Sequence, residues 1–211
     1  MKSAADSEDR SLGSSLLETV LIVAVALGLA LGIQAVLVKP FRIPSGSMLP
    51  TLDIGQRVLV NRLGTHFGDP VIGDILVFHP PASAEASDGQ QCAAGVHQDQ
   101  PCPTPGLKEA KVNFIKRVVG VPGDRIKVRN GHVIRNGKLQ KESFISTTCN
   151  GGAGNACNLA REITIPKGHY FMMGDNRGES DDSRYWGPIP KKWIIGDAFA
   201  TYWPPKRIGT L

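Results

Sequence analysis

The sequence predicts a mainly β protein: a single N-terminal transmembrane helix followed by a curved, barrel-like β domain. Three observations carry this. Residues 16–38, LLETVLIVAVALGLALGIQAVLV, are long and apolar enough to cross a bilayer as one helix. After residue 40, short Val- and Ile-rich runs alternate with Gly, Pro and Asp, with no amphipathic helical run of about twelve residues. Two Asn-Gly pairs in RNGHVIRNGKL, residues 129–139, signal tight hairpins.

The 211 residues allow one sizeable domain or two small ones. The net charge is +5, but the Lys and Arg are scattered and no basic run of five occurs. That argues against a nucleic-acid partner and for a face resting on anionic lipid.

Residues 1–15 set Lys2 and Arg10 against Asp6, Glu8 and Asp9, and read as a short disordered tail. From Val20 to Ile33 the next run holds no charged or strongly polar side chain, and Gln34 then interrupts it. A cleavable leader would have a shorter apolar core, and Ala24-Val25-Ala26 is buried inside the run, so residues 16–38 read as a retained anchor. Lys2 and Arg10 on one side balance Lys39 and Arg42 on the other, so the charges are silent on orientation.

Residues 39–211 form the β domain. Its strands are expected within residues 56–63, 74–80, 113–121, 124–139, 161–175 and 194–204. Residues 81–110, rich in Pro, Ala, Gly and Gln, read as a long exposed loop, and residues 146–160 as a second one.

Chemistry concentrates in three stretches. FRIPSGSMLPTL, Phe41–Leu52, puts Ser47 on a turn that Gly46 allows and Pro44 and Pro50 stiffen. Met48 and Leu49 are apolar where a turn should be polar, an arrangement that can present a hydroxyl to a carbonyl. Second, Lys116 lies inside an apolar strand. Alternation puts Phe114, Lys116 and Val118 on one face and Ile115, Arg117 and Val119 on the other. A Lys in apolar surroundings loses ammonium solvation, its pKa falls, and the neutral amine can take a proton from a Ser hydroxyl. The competing reading is a Lys that snorkels to the strand edge. Third, MMGDNRGESDDSRYWGPIP, residues 172–190, packs four acids, two Arg and two Ser between Met173 and Tyr185. It lacks the alternating acids and closing Glu of a calcium loop, and reads either as a site-building loop or as a solvated acidic turn.

None of the five His sits in a motif that suggests a base: His66, His79, His97, His132 and His169 all read as turn or surface residues. No Cys-x-x-Cys or His-x-x-x-His spacing suits a metal, and no cofactor site is evident. The four Cys form two close pairs, Cys92 with Cys102 and Cys149 with Cys157, each bracketing a polar or Gly-rich loop. Two local disulfides and four free thiols both fit this spacing.

PSGSMLPTL, GDILVF, KRVVGVPGD and GDNRGESDDSRYWGPIP follow an apolar anchor in an order that resembles the type I signal peptidases, membrane-anchored Ser-Lys endopeptidases. The resemblance spans residues 40–190. It implies Ser47 as nucleophile and Lys116 as general base, with Ser45 and the Ser47 amide as oxyanion hole. Ser180 would orient the Lys, with Asp182 and Arg184 as a structural pair behind the site. Gly174, Asp175 and Asn176 would belong to the supporting loop. Phe41, Ile43, Pro44, Met48, Leu52, Phe114 and Ile115 would wall shallow pockets for small side chains. The implied substrates are preproteins cut after an A-x-A-like site, with the lipid bilayer as the other partner and a monomer as the working unit.

It also implies a bacterial plasma membrane, residues 1–15 in the cytoplasm and residues 39–211 on the periplasmic or extracellular side, and it favours the disulfide reading of Cys149 and Cys157. Some members have two spans, whereas this chain has one clear span. The segment between GVPGD and MMGD is short, so the second β subdomain, about residues 123–170, should be a small extension. Alternatives are a conjugation-pilus or mitochondrial inner-membrane relative, and a non-catalytic membrane-tethered β domain that binds peptides.

Overall fold

The computed structural model describes residues 5–85, 92, 99–104, 106–146, 149 and 156–211. The chain divides into two compact units at Lys39/Pro40. The first is the helix α1 (Ala5–Leu37). Its Ser15–Gly32 portion is long and apolar enough to cross a membrane, and side chains such as Leu21, Ile22 and Leu29 are exposed. Helix begins well before residue 16, so the tail expected to be disordered is helical from Ala5 onward. Extending an existing helix costs far less than nucleating one, so the apolar run carries its polar neighbours with it.

In chain order the strands are β1 (Val38–Arg42), β2 (Arg57–Asn61), β3 (Ile75–Phe78), β4 (Phe114–Gly120), β5 (Arg125–Arg129) and β6 (His132–Arg135). They continue with β7 (Lys138–Leu139), β8 (Leu159–Thr164), β9 (His169–Met173), β10 (Ile189–Pro190), β11 (Ile194–Trp203) and β12 (Gly209–Thr210). A large sheet runs β1-β2-β11-β3-β4-β9-β10, with β12 also paired to β11, and a four-stranded sheet runs β7-β6-β5-β8. Register shifts in the β11 pairings with β2 and β3, and between β4 and β9, curl the large sheet.

β3 is buried along its whole length because both faces carry core. Leu76 and Phe78 pack with Val118, Tyr170, Met172, Trp186 and Ile189 on one side. Ile75 and Val77 pack with Ile43, Met48, Leu52, Val58 and Val60 on the other. A third cluster joins Ile126, Val128, Val133 and Ile163 of the small sheet to Phe171 and Met173 of β9. Each such aliphatic or aromatic side chain stabilises the fold by about 1.5–3 kcal/mol.

The Asn-Gly pairs make the two tight turns of the small sheet. Asn130 and Gly131 have φ of 50° and 78°, and Asn136 and Gly137 have 52° and 80°. This is the left-handed pair that a type I′ hairpin needs.

Within the expected loop 81–110 the chain forms a 3-10 turn at Ala82–Glu85 and a bridge from Pro81 to Glu109. Residues 86–91, 93–98 and 105, His97 among them, lie outside the described residues. In the expected loop 146–160, residues 147–148 and 150–155 lie outside them too. The end of that stretch is strand instead of loop: Leu159 opens β8 and pairs with Val128. A single Leu among polar residues left no period to read, and burial against Val128 supplies the order. Both disulfides form, Cys92–Cys102 and Cys149–Cys157, with Cα separations of 5.7 and 5.8 Å.

Candidate active site

Ser47 lies in the 3-10 turn Gly46–Met48, closed by Leu49 N donating to Gly46 O at 3.1 Å and Leu52 N donating to Met48 O at 2.9 Å. Met48 and Leu52 are fully buried in the core beneath. These two apolar side chains pin the turn from below, so the Ser47 hydroxyl has a fixed position. Ser45 precedes the turn in extended backbone, and its Oγ lies 3.4 Å from the Ser47 Oγ.

Lys116 comes from the middle of β4, paired across from Leu76 of β3. It shares its face with Phe114 and Val118, and only 4% of it is exposed. Its Nζ donates to the Ser47 Oγ at 2.6 Å, across 69 residues of sequence. Burial, the dominant influence, pulls the amine down from 10.5 to about 8, although the carboxylates of Asp182 and Asp181 favour the charged form. The neutral form is therefore the minor one at pH 7 and reaches half at about 8.

The loop 174–184 braces this pair. Asn176 holds the Ser47 turn twice: its backbone N donates to Ser47 O at 3.1 Å and its Nδ2 to Gly46 O at 3.1 Å. Gly174 passes so close that a Cβ there would strike both Ser180 Oγ and Ser47 O. Asp182 caps the short helix α2 (Ser183–Trp186) and accepts from Arg184 Nε at 2.7 Å, Arg184 Nη2 at 2.8 Å and Gly174 N at 3.1 Å. Burial alone would raise the Asp182 pKa, but the Arg184 guanidinium and these hydrogen bonds hold it below the usual range. Asp175 accepts from Arg117 on the other face of β4.

Ser47, Lys116, Ser45, Gly46, Pro44, Phe114 and Ile115 line one open groove of about 350 Å³, together with Asn113, Glu179 and Asp181. Ile43, Met48 and Leu52 do not line it. All three are buried in the core under the turn, with Phe41 packed against the same cluster, because the turn needs an apolar floor. Ser180 is also buried, but its Oγ has no hydrogen-bond partner, so the expected bond to Lys116 is not made.

Three residues of the surroundings escaped sequence reasoning. Thr51 donates to Asp175 at 2.5 Å. Glu142 accepts from Arg177 Nη2 at 2.6 Å, a buried pair that ties the small sheet to the loop. Glu179 reaches the groove wall. The first two are contacts between residues far apart in sequence, which no local motif announces.

A family model described as signal peptidase, peptidase S26, matches residues 16–203. A signal peptidase I from Leptolyngbya laminosa is 35% identical over 198 residues, covering 94% of this chain and 85% of that protein. The signal peptidase I of Pseudomonas aeruginosa PAO1 is 33% identical over 229 residues, covering 87% of this chain and 72% of its own. A solved signal peptidase I from Enterococcus faecalis V583 is 23% identical, with a TM-score of 0.40, over 62% of this chain and 97% of that one. Matched by the family model from the apolar helix to the end of β11, and at least 33% identical to relatives whose length it mostly spans, this chain belongs to the signal peptidase family, peptidase S26.

Proposed function

We propose that this chain is a membrane-anchored serine endopeptidase that removes N-terminal signal peptides from preproteins, with Ser47 as nucleophile and Lys116 as general base. One observation carries the assignment of roles. A buried amine, lowered to about 8 by loss of solvation, lies 2.6 Å from a hydroxyl held on a rigid turn.

In the neutral state Lys116 Nζ accepts the Ser47 proton as Oγ attacks the scissile carbonyl. The Ser45 hydroxyl and the Ser47 amide would donate to the developing oxyanion, an effect on the order of 3 kcal/mol per donor. The ammonium then protonates the leaving amine. A water, deprotonated by the neutral amine, hydrolyses the acyl-enzyme. Both reacting groups come from one chain, so a monomer suffices. An extended substrate beside Pro44 and Phe114–Lys116 would bind by β-augmentation. The apolar helix would hold enzyme and preprotein in the same bilayer, raising their effective concentration.

Two disulfides in the β unit fit an oxidising compartment. That supports residues 39–211 on the outer side of a bacterial plasma membrane, residues 16–38 as the span and residues 1–15 in the cytoplasm.

The test is incubation of the purified chain in detergent with a secretory preprotein, beside Ser47→Ala and Lys116→Ala. Wild type should release the mature protein, and both variants should lose at least 1,000-fold in rate, a loss on the scale of removing a member of a catalytic triad. Cleavage by either variant at near wild-type rate overturns the proposal.

A further inference from the structure

The groove that holds Ser47 and Lys116 has two carboxylates in its wall, Glu179 and Asp181. Among the described residues lining it, Lys116 is the one cation. The reactive form of Lys116 is the neutral amine, so the working groove carries two negative charges in a chain whose net charge is +5. The local field is opposite in sign to the charge of the whole molecule.

Glu179 is exposed, but a hydrogen bond restrains its carboxylate. Asn176 Nδ2 donates to Glu179 Oε2 at 3.0 Å and to Gly46 O at 3.1 Å. The Glu179 backbone N donates to Asn176 O at 3.0 Å. One amide thus couples this carboxylate to the turn that bears Ser47. Asp181 adjoins Asp182, whose carboxylate is locked to Arg184. Its charge is felt at the Lys116 amine. Glu179 is held by Asn176, and both acids line the groove that a peptide lying over Ser47 would pass.

We infer that Glu179 and Asp181 are charge-specificity residues: the groove favours a cationic side chain, and rejects a carboxylate, at substrate positions flanking the scissile bond. The inference rests on the reading of Ser47 and Lys116 as the reacting pair. A groove wall partly open to water screens each interaction, so each carboxylate should contribute about two- to five-fold in kcat/KM. Like-charge repulsion of a substrate carboxylate works in the same direction.

The experiment uses the full chain in detergent and a peptide series with Ala one and three residues before the cut. Lys, Gln or Glu is placed in turn two residues before the cut, one after and two after. Wild type is expected to prefer Lys to Glu at one or more of these positions, with a ratio that shrinks as salt is raised. Glu179→Gln and Asp181→Asn should each reduce that ratio about two- to five-fold. Glu179→Lys should shift preference towards Glu, a gain that misfolding cannot imitate. A Lys-to-Glu ratio that is the same in wild type and all variants at every position overturns the inference. If Ser47→Ala cleaves the Gln peptides as fast as wild type, the reading of the reacting pair fails instead. If only wild type cleaves them and the charge ratios stay flat, that reading survives and the charge inference alone falls.

Discussion

Arg117 grips Asp175 with two hydrogen bonds, Nε to Oδ1 at 2.9 Å and Nη2 to Oδ2 at 2.7 Å. By strand alternation this pair lies on the face of β4 opposite Lys116. Asp175 is fully buried and Arg117 nearly so, and the guanidinium also donates from Nη1 to Gly73 O at 2.8 Å and stacks 4.1 Å from the Phe144 ring. β4 therefore has one cationic side chain per face, Arg117 ion-paired to Asp175 and Lys116 desolvated beside Ser47. Removing one partner leaves a buried charge. Asp175→Ala should cost about 3–5 kcal/mol of stability in urea unfolding, and Arg117→Met with Asp175→Leu should cost less than the two single changes added.

Lys116 sets a pH limb. If Lys116 is the base proposed above, cleavage needs the neutral amine, and kcat/KM should rise with pH and level off above about 8. A flat profile down to about pH 5 would contradict a buried amine base.

The same residue costs stability, and that cost falls as pH rises, in the same direction as the gain in activity. Burial lowers the amine below its ordinary 10.5, so between about 8 and 10.5 the unfolded chain binds more protons than the folded one. Folding therefore bears the full cost of desolvating this group below pH 8, and the cost disappears above 10.5. Lys116→Met should abolish cleavage and yet raise Tm at pH 7 by a few degrees, about 2–4 °C per kcal/mol for a domain of this size. An unchanged or lower Tm for the inactive variant counts against the desolvation account.

Gly174→Ala tests how closely the supporting loop approaches the turn. The added methyl would meet Ser180 Oγ and the Ser47 carbonyl oxygen, and backbone cannot yield cheaply. Stability should fall by about 1–3 kcal/mol, and kcat should fall further than KM rises, because the displaced atom belongs to Ser47, the proposed nucleophile. Loss of stability with an intact kcat would show that the turn tolerates the shift.

The Cys149–Cys157 bridge joins two residues eight apart in sequence, and Gly131 N of the small sheet's first turn donates to Cys157 O at 2.8 Å. Replacing both Cys with Ser should cost about 2–3 kcal/mol by loop-closure entropy. Since Arg177 donates to Gly131 O and Gly174 O from one side chain, activity at raised temperature should fall in parallel. The comparison is Tm and the temperature dependence of cleavage for the variant and wild type.

Legibility in the sequence followed the range of the forces involved. The apolar run of α1, the Val/Ile alternation of β2, β4 and β5 and the two Asn-Gly turns are local, and they read directly. The 2.6 Å approach of Lys116 to Ser47 is not local; spacing suggested only that each was unusual where it stood. Short elements such as β10 and β12 have two residues each and owe their form to partners in β9 and β11, so no pattern in them could be read. The burial of Met48 and Leu52 under the turn was missed for a similar reason. An apolar residue in a loop can face a ligand or a core, and only the packed sheet decides which.

The strand order carries a consequence for how the molecule is made. β11, from the last part of the chain, lies between β2 and β3, which are separated from it by more than a hundred residues. During synthesis the two early strands have no neighbour to join them until that late segment leaves the ribosome. The large sheet that positions Ser47 against Lys116 can close only then. A nascent protease built this way stays inert towards its surroundings until β11 has been made.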